Sequence, residues 1–170
     1  MIQDYLGKRA RIADTAYVHE SAVLIGDVKI GEESSIWPNT TLRGDDGPIH
    51  IGTQTSIQDG TVIHCTTDLS WTEVGDRVTV GHGVILHGCK IANDCLIGMG
   101  SIILDGAIIE TGAIIGAGSM IPAGKTIPAD TLVIGNPFRI IRTCTDNDRL
   151  MISNGWKEYV QRCREYRGLS

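Results

Sequence analysis

An aliphatic residue recurs every six positions along most of this chain. Of the nineteen steps between successive members of the series, sixteen are six residues long. The members are Ile12, Val18, Leu24, Ile30, Ile36, Leu42, Ile51, Ile57, Ile63, Val74, Val80, Leu86, Ile91, Ile97, Ile103, Ile109, Ile115, Ile121, Ile127 and Val133. A small residue follows most of them four positions later. This hexapeptide pattern predicts an all-β solenoid, a parallel β-helix in which three hexads make one triangular coil.

The limits of the repeat divide the chain into three parts. We expect a lead-in over residues 1–11, the β-helix over residues 12–137, and a helical segment over residues 138–170 that packs on the solenoid. Pro137 ends the repeat because proline cannot donate to a strand ladder. Thr145 and Asp148 then form a capping-box pattern before apolar residues at helical spacing. Gly155 leaves open whether the helix is continuous or in two pieces.

The six-residue rhythm is interrupted three times. Residues 43–50 carry a three-residue excess, residues 65–73 carry a five-residue excess, and residues 86–90 are one residue short. Leu69 could head a further hexad, which would shift the phase of everything after it. We favour a loop there because residues 70–73 lack the small-residue position. Loops on rigid scaffolds often carry function.

The phase of the repeat places the histidines relative to one another. We name the three faces first, second and third, starting from Ile12. We call the aliphatic residue that begins each hexad its head. On the third face, Arg43, His64 and His87 each directly follow a head and should stack on successive coils, about 5 Å apart. On the second face, residues 58–59 lie one coil below residues 81–82, so Asp59 lies beneath His82.

This arrangement predicts a metal site that one chain cannot complete. His64 and His87 can share an ion, because zinc–nitrogen bonds are about 2.0–2.1 Å long. His82 is out of their reach, since one face spans about 20 Å. The third face of one chain packed on the second face of the next would supply His82 and close into a three-fold ring. We therefore predict a homotrimer with one site at each interface, and we interpret His19 and His50 as ordinary surface residues.

Composition excludes several classes of partner. A net charge of −5 and a pI of about 5.4 argue against nucleic-acid binding. The chain shows no apolar run of membrane-spanning length and no signal-peptide pattern at its start, so we expect a cytoplasmic protein without a membrane partner. The five cysteines include no CxxC pair, which predicts reduced and mostly buried thiols.

Several motifs resemble the γ-class carbonic anhydrase and carbonic anhydrase-like family. They are Arg43-Gly44-Asp45, Gln58-Asp59-Gly60 with His64, Gly81-His82 with His87-Gly88-Cys89, and Gly135-Asn136-Pro137. The resemblance implies a left-handed β-helix assembled as a homotrimer. It implies that His64 and His87 of one subunit and His82 of the next bind Zn²⁺, or Fe²⁺ or Co²⁺. It also implies an inter-subunit network of Arg43, Asp45 and Asp59, in which neighbouring subunits exchange charge contacts.

The implied activity is the reversible hydration of CO₂ to bicarbonate by a hydroxide bound to the metal, with Gln58 orienting that group. The best-characterised members carry glutamates for proton export, whereas this chain has Asp46 and Thr67 at the corresponding positions. That departure implies activity that is weak or latent. Tyr159 resembles a tyrosine that reaches the pocket from the terminal helix.

Two other functions compete with this interpretation. A hexapeptide acyltransferase or a hydrolase of CoA thioesters would use a histidine as general base and need no metal. A non-catalytic scaffold or assembly subunit would use neither. The lack of a long protruding loop and the clustering of three histidines favour the metal-dependent lyase.

Overall fold

A computed structural model describes residues 1–169, which form twenty strands and one helix. The strands are β1 (Ile2–Gln3), β2 (Arg11–Ile12), β3 (Tyr17–Val18), β4 (Val23–Ile30), β5 (Ser35–Ile36), β6 (Thr41–Ile51), β7 (Ser56–Ile57), β8 (Val62–His64), β9 (Thr72–Val74), β10 (Thr79–Val80), β11 (Ile85–His87), β12 (Lys90–Ile91), β13 (Leu96–Ile97), β14 (Ile102–Ile103), β15 (Ile108–Ile109), β16 (Ile114–Ile115), β17 (Met120–Ile121), β18 (Thr126–Ile127), β19 (Thr131–Ile134) and β20 (Arg139–Thr143). The helix is α1 (Asp146–Tyr166).

The strands stack as parallel ladders in the register that the six-residue repeat predicts. On the third face, Leu42 pairs with Ile63, Ile63 with Leu86, and Leu86 with Ile103. Every hexad head from Leu24 to Val133 is at most 3 % exposed, so the heads form one continuous apolar core. The solenoid is a left-handed parallel β-helix of hexapeptide repeats, which confirms the predicted fold.

The two ends of the solenoid differ from the expected division. Strand β1 pairs with β4, so a coil already begins within the residues expected as a lead-in. Strand β20 runs antiparallel to β19 and precedes the helix. The segment 138–170 is therefore not helical throughout, because residues 139–143 add a last strand to the sheet. Strand β20 carries no six-residue periodicity, since it lies outside the repeat.

Helix α1 is continuous and covers the second face. Thr145 and Asp148 form the capping box that the sequence predicted. The buried side of the helix packs on β3, β5, β7 and β10. Gly155 does not divide the helix. A Cβ atom there would lie 3.3 Å from the Oγ1 of Thr79, so glycine allows the helix to approach the sheet closely.

The longest interruption and the thiols agree with the sequence analysis. Segment 65–73 is a loop with Leu69 70 % exposed, so no extra hexad shifts the phase. All five cysteines are free and buried, and burial raises the pKa of Cys89 and of Cys95 to about 12. Within residues 1–169, no helix combines the length and apolarity needed to span a bilayer.

Candidate metal centre

His64 and His87 face each other on neighbouring coils of the third face. They are in-register partners of β8 and β11. The Nδ1 atom of His64 lies 3.2 Å from the Nε2 atom of His87. Two nitrogen ligands of a tetrahedral zinc ion lie about 3.3 Å apart, given bonds of about 2.0–2.1 Å. The two residues stack as their positions in the repeat predicted, and the spacing is compatible with two ligands of one ion.

A carboxylate fixes the orientation of the His87 ring. The Oδ2 atom of Asp105 lies 2.9 Å from Nδ1 of His87, within hydrogen-bond distance, with the carboxylate oxygen as acceptor. The Nε2 atom of His87 thereby faces Nδ1 of His64. Burial alone would raise the pKa of Asp105, but hydrogen bonds from Ser70 and His87 outweigh it and lower that pKa. Asp105 is thus a charged partner of the ring.

Asp105 is not among the site residues predicted from the sequence. The residue stands one coil above Gly88 at a corner of the solenoid, where Gly106 donates to the Gly88 carbonyl. It lies one position beyond the stacked positions of His64 and His87, so stacking within that row does not reveal it. Its position at the corner nevertheless follows from the phase of the repeat.

His82 has a carboxylate partner of the same kind. The Oδ2 atom of Asp59 lies 3.0 Å from Nδ1 of His82, which confirms the predicted stacking of the two residues. The His82 side chain is 49 % exposed at the corner that follows β10. Met99 lies on the next coil of the same corner and is 58 % exposed. The Nε2 atom of His82 is therefore presented outwards from the chain.

One chain does not bring the three histidines together. Among residues 1–169, the group of three potential ligands within 4.8 Å of one another is Asp45, Asp46 and His64. His82 joins no such group with His64 and His87. A site that contains all three histidines would need a second chain. Helix α1 packs on β3, β5, β7 and β10 of the second face, whereas the His82 side chain is 49 % exposed at the corner of that face, so the expected contact narrows from the whole face to this corner.

Charged groups surround His64 on the side of the coil below. Arg43 contacts Nδ1 of His64 at 3.2 Å and donates to Asp45 at 2.7 Å. Asp46 lies 3.0 Å from Nε2 of His64 and accepts a hydrogen bond from Thr67 at 2.5 Å. Burial alone would raise the pKa of Asp45, but the Arg43 hydrogen bond helps to lower it. Arg43, Asp45 and Asp46 thus form one ionic cluster with His64.

Gln58 and Tyr159 lie towards the His82 side of the site. Gln58 is 6 % exposed and directly precedes Asp59. Tyr159 comes from α1, and its ring packs edge-on against Trp37 with centroids 5.6 Å apart. Burial raises the pKa of Tyr159, and the negative charge of Asp59 adds to this effect. Both residues therefore lie near the Asp59–His82 corner, away from the His64–His87 column.

The histidine side chains suit a metal ion of intermediate softness, such as zinc. Three imidazoles are the ligands that zinc prefers alongside thiolates, and a carboxylate on the second ring nitrogen is the usual outer partner of a zinc-bound histidine. His82 and His87 both have that partner. The cysteine next to His64, Cys65, is fully buried, and burial raises the pKa of its thiol. Imidazole rather than thiolate ligation is therefore the chemistry that this site offers.

Fold and site together define a hexapeptide-repeat protein with a cluster of carboxylate-backed histidines. Residues 88–123 match the family model of the bacterial transferase hexapeptide (six repeats). A carbonic anhydrase of Geobacillus kaustophilus is 45% identical over 169 residues, covering 99% of this chain and 92% of the relative. The mitochondrial gamma carbonic anhydrase 2 of Arabidopsis thaliana is 38% identical, covering 94% of this chain and 59% of the relative. The chain belongs to the γ-class carbonic anhydrase family.

One similar crystal structure carries a different description. A Bacillus cereus protein described as a candidate acetyltransferase, the product of the BC4754 gene, superposes with a TM-score of 0.96. It is 46% identical and the match covers 99% of this chain and 98% of that one. Hexapeptide repeats thus occur in relatives to which two kinds of chemistry are assigned. The histidines, and not the repeat, are the feature that distinguishes the two.

Proposed function

We propose that this chain is a metal-dependent carbonic anhydrase-like lyase that interconverts CO₂ and bicarbonate. One observation carries the proposal: two ring nitrogens lie 3.2 Å apart, and each of the two rings has a carboxylate oxygen within 3.0 Å of its other nitrogen. A histidine acting alone as a general base needs no second imidazole at this distance. Relatives named carbonic anhydrase at 45% identity support the same activity.

The metal would be Zn²⁺, with Fe²⁺ or Co²⁺ as alternatives that suit imidazole ligands. His64 and His87 of one subunit and His82 of the next would hold it. Such an ion lowers the pKa of a water molecule to about 7 and so supplies a nucleophile for CO₂ at neutral pH. Three neutral ligands leave the positive charge of the ion undiminished.

The assembly would be a homotrimer whose interfaces contain the sites. Val62 and Ile85 project from the third face, are 42 % and 40 % exposed, and flank the His64–His87 pair. A neighbouring chain that presents its His82 corner would cover these aliphatic side chains with Met99. Burying this stripe stabilises the contact by roughly 25 cal/mol per Å² of apolar surface. Repeating one such head-to-tail contact closes a three-fold ring.

The remaining site residues would bind and move the small reactants. Gln58 would orient the attacking water through its amide, and Tyr159 would bound the pocket from α1. Asp46 would accept the proton that the attacking water releases, since its side chain is 37% exposed and lies 3.0 Å from Nε2 of His64. Hydrogen bonding to Thr67 restrains Asp46, which supports a slow proton transfer and weak turnover. Arg43 and Asp45 would form a charge network with Asp59 of the neighbouring subunit.

Metal analysis and CO₂ hydration test the proposal together. Purified chain supplemented with Zn²⁺ should retain about one ion per chain. Stopped-flow hydration by the loaded protein should fall to the buffer rate in His82→Ala. The matched control is His50→Ala, a histidine on the first face away from the site. Equal rates in wild-type protein and His82→Ala would contradict the proposal and favour the scaffold interpretation.

The acyltransferase alternative rests on the description of the Bacillus cereus structure. In that case a histidine takes a proton from the acyl acceptor, and chelation leaves the reaction intact. Metal-free protein should then consume acetyl-CoA in the presence of amine or hydroxyl acceptors, and the metal-loaded protein should not hydrate CO₂. Our proposal expects the opposite result in both assays.

A further inference from the structure

We propose that Asp105 is a positioning residue that holds His87 in the Nδ1–H tautomer and, through Ser70, ties this ligand to the 65–73 loop. The inference rests on the proposed metal site for its consequence, but the tautomer itself is a property of the metal-free chain. Neither residue belongs to the motifs that mark the family resemblance.

The contacts form a short chain from the loop to the ligand. Asp105 Oδ2 lies 2.9 Å from Nδ1 of His87, and Asp105 Oδ1 accepts from the Ser70 hydroxyl at 2.5 Å. The Ser70 hydroxyl in turn accepts from the backbone N–H of Thr66 at 3.0 Å. Both carboxylate oxygens are therefore engaged, one by the ligand ring and one by the loop. The carboxylate cannot rotate without losing one of these hydrogen bonds.

Asp105 stands on a rigid support. Its carbonyl accepts from the N–H of Gly124 at 2.9 Å, and the N–H of Gly106 donates to the carbonyl of Gly88 at 2.8 Å. The corner residues of successive coils are thus bonded to each other above and below the carboxylate. The position of an imidazole that is hydrogen-bonded to Asp105 is therefore fixed by the solenoid backbone as well as by the side-chain torsions of the histidine.

Gly88 provides the space in which the carboxylate and the hydroxyl meet. Its φ is +59°, and a Cβ atom built there would collide with Asp105 Oδ1 and with Ser70 Oγ. Gly124 occupies the same corner two coils further on, with φ +67°, and a Cβ atom there meets nothing within 4 Å. Substituting either glycine by alanine imposes similar backbone strain. Only the change at Gly88 also displaces the Asp105–Ser70 contact.

The expected consequence is a loss of metal affinity. Free imidazole exchanges between two neutral tautomers, and a ligand bound through Nε2 must carry its proton on Nδ1. Carboxylates that fix the tautomer and the ring orientation typically contribute 10- to 100-fold to metal affinity. We expect a loss of about this size for Asp105→Ala. Ser70→Ala should cause a smaller loss in the same direction, because Ser70 acts on the ring only through Asp105.

The first experiment reads the tautomer without metal. Long-range ¹H–¹⁵N spectra at about pH 8, where a histidine of ordinary pKa is neutral, should show His87 as the Nδ1–H form in wild-type protein. Asp105→Ala should shift it to a mixture dominated by Nε2–H. Asp94→Ala is the control, because it removes a carboxylate that pairs with Arg77 at another corner. An unchanged His87 tautomer in Asp105→Ala overturns the proposal.

The second experiment measures Zn²⁺ affinity by competition with a chromophoric chelator. Ser70→Ala should add little in the Asp105→Ala background, since a shared pathway makes the two losses non-additive. Gly88→Ala should weaken binding, whereas Gly124→Ala should not. Additive losses, or equal effects of the two glycine changes, would overturn the coupling to the loop.

The two experiments also separate this proposal from the proposed function. A wild-type chain that binds no Zn²⁺ would refute the metal site. The His87 tautomer would still decide whether Asp105 positions the ring.

Discussion

Mixing two inactive variants should restore part of the metal sites if His82 comes from a neighbouring chain. His82→Ala retains the His64–His87 pair but offers no third ligand, and His87→Ala retains His82 but lacks the pair. Neither variant alone can form a complete site. In a trimer that contains both, an intact pair on one chain can meet an intact His82 on the next.

The size of the recovery follows from the symmetry of a three-fold ring. When equal amounts assemble at random, about three quarters of the trimers contain both variants. Each mixed ring has one complete interface out of three, whichever variant is in excess. About one quarter of the wild-type number of sites should therefore return, with a similar share of any CO₂ hydration rate. An intrachain site predicts no recovery, because no single chain carries all three histidines.

Refolding the variants together, with a different affinity tag on each, provides the assay. Trimers that carry both tags should contain about one third of the wild-type zinc per chain and a matching fraction of the activity. The control is a mixture of His64→Ala with His87→Ala, in which every pair is broken and no site should return. Recovery in this control would place His64 and His87 of one site on different chains and refute the geometry. No recovery in the first mixture, despite mixed trimers, would refute the shared site.

Three further predictions concern the solenoid itself. Thr79 has a buried hydroxyl without a hydrogen-bond partner among residues 1–169, so Thr79→Val should stabilise the protein by about 1 kcal/mol in denaturant unfolding. Thr72→Val is the matched control and should destabilise it, because the Thr72 hydroxyl donates to the His64 carbonyl at 2.8 Å. A hydrogen bond from Arg164 lowers the pKa of Glu33 from its ordinary 4.5, so the stabilisation it contributes is present above pH 4.5 and is lost as the pH falls through the lowered pKa. The stability difference between wild-type protein and Glu33→Gln should therefore shrink at acid pH, and a constant difference would contradict the assignment. Cys89 has a pKa raised to about 12, so iodoacetamide at pH 8 should leave it unmodified until the protein is unfolded, as peptide mass mapping would show.

The period of the sequence predicted most of the fold and half of the candidate site. In a solenoid, residues one coil apart are neighbours, so counting hexads is equivalent to measuring distance. This is why His64 and His87, and likewise Asp59 and His82, could be paired from their positions alone. The loop around Leu69 also followed from the pattern, because the small-residue position is missing there.

The repeat did not predict two other features of the fold. Strand β20 follows Pro137, where no periodic signal remains, and its pairing with β19 depends on the chain turning back. The docking of α1 on the second face depends on the close approach at Gly155, a residue whose low helix propensity argued for a break. That docking changes the expected subunit contact from a whole face to the corner that carries His82.

The sequence by itself determined which residues share a coil position, because a ladder of parallel strands converts a fixed repeat length into a fixed spacing. Only the tertiary structure decided which atoms of those residues meet. A count of residues places two imidazoles about 5 Å apart at their backbones, whereas side-chain torsions bring their nitrogens to 3.2 Å. The partnership of Asp105 with His87 likewise depends on how a corner residue leans towards the neighbouring column. Such orientations arise from packing and hydrogen bonding in three dimensions, which a one-dimensional period does not encode.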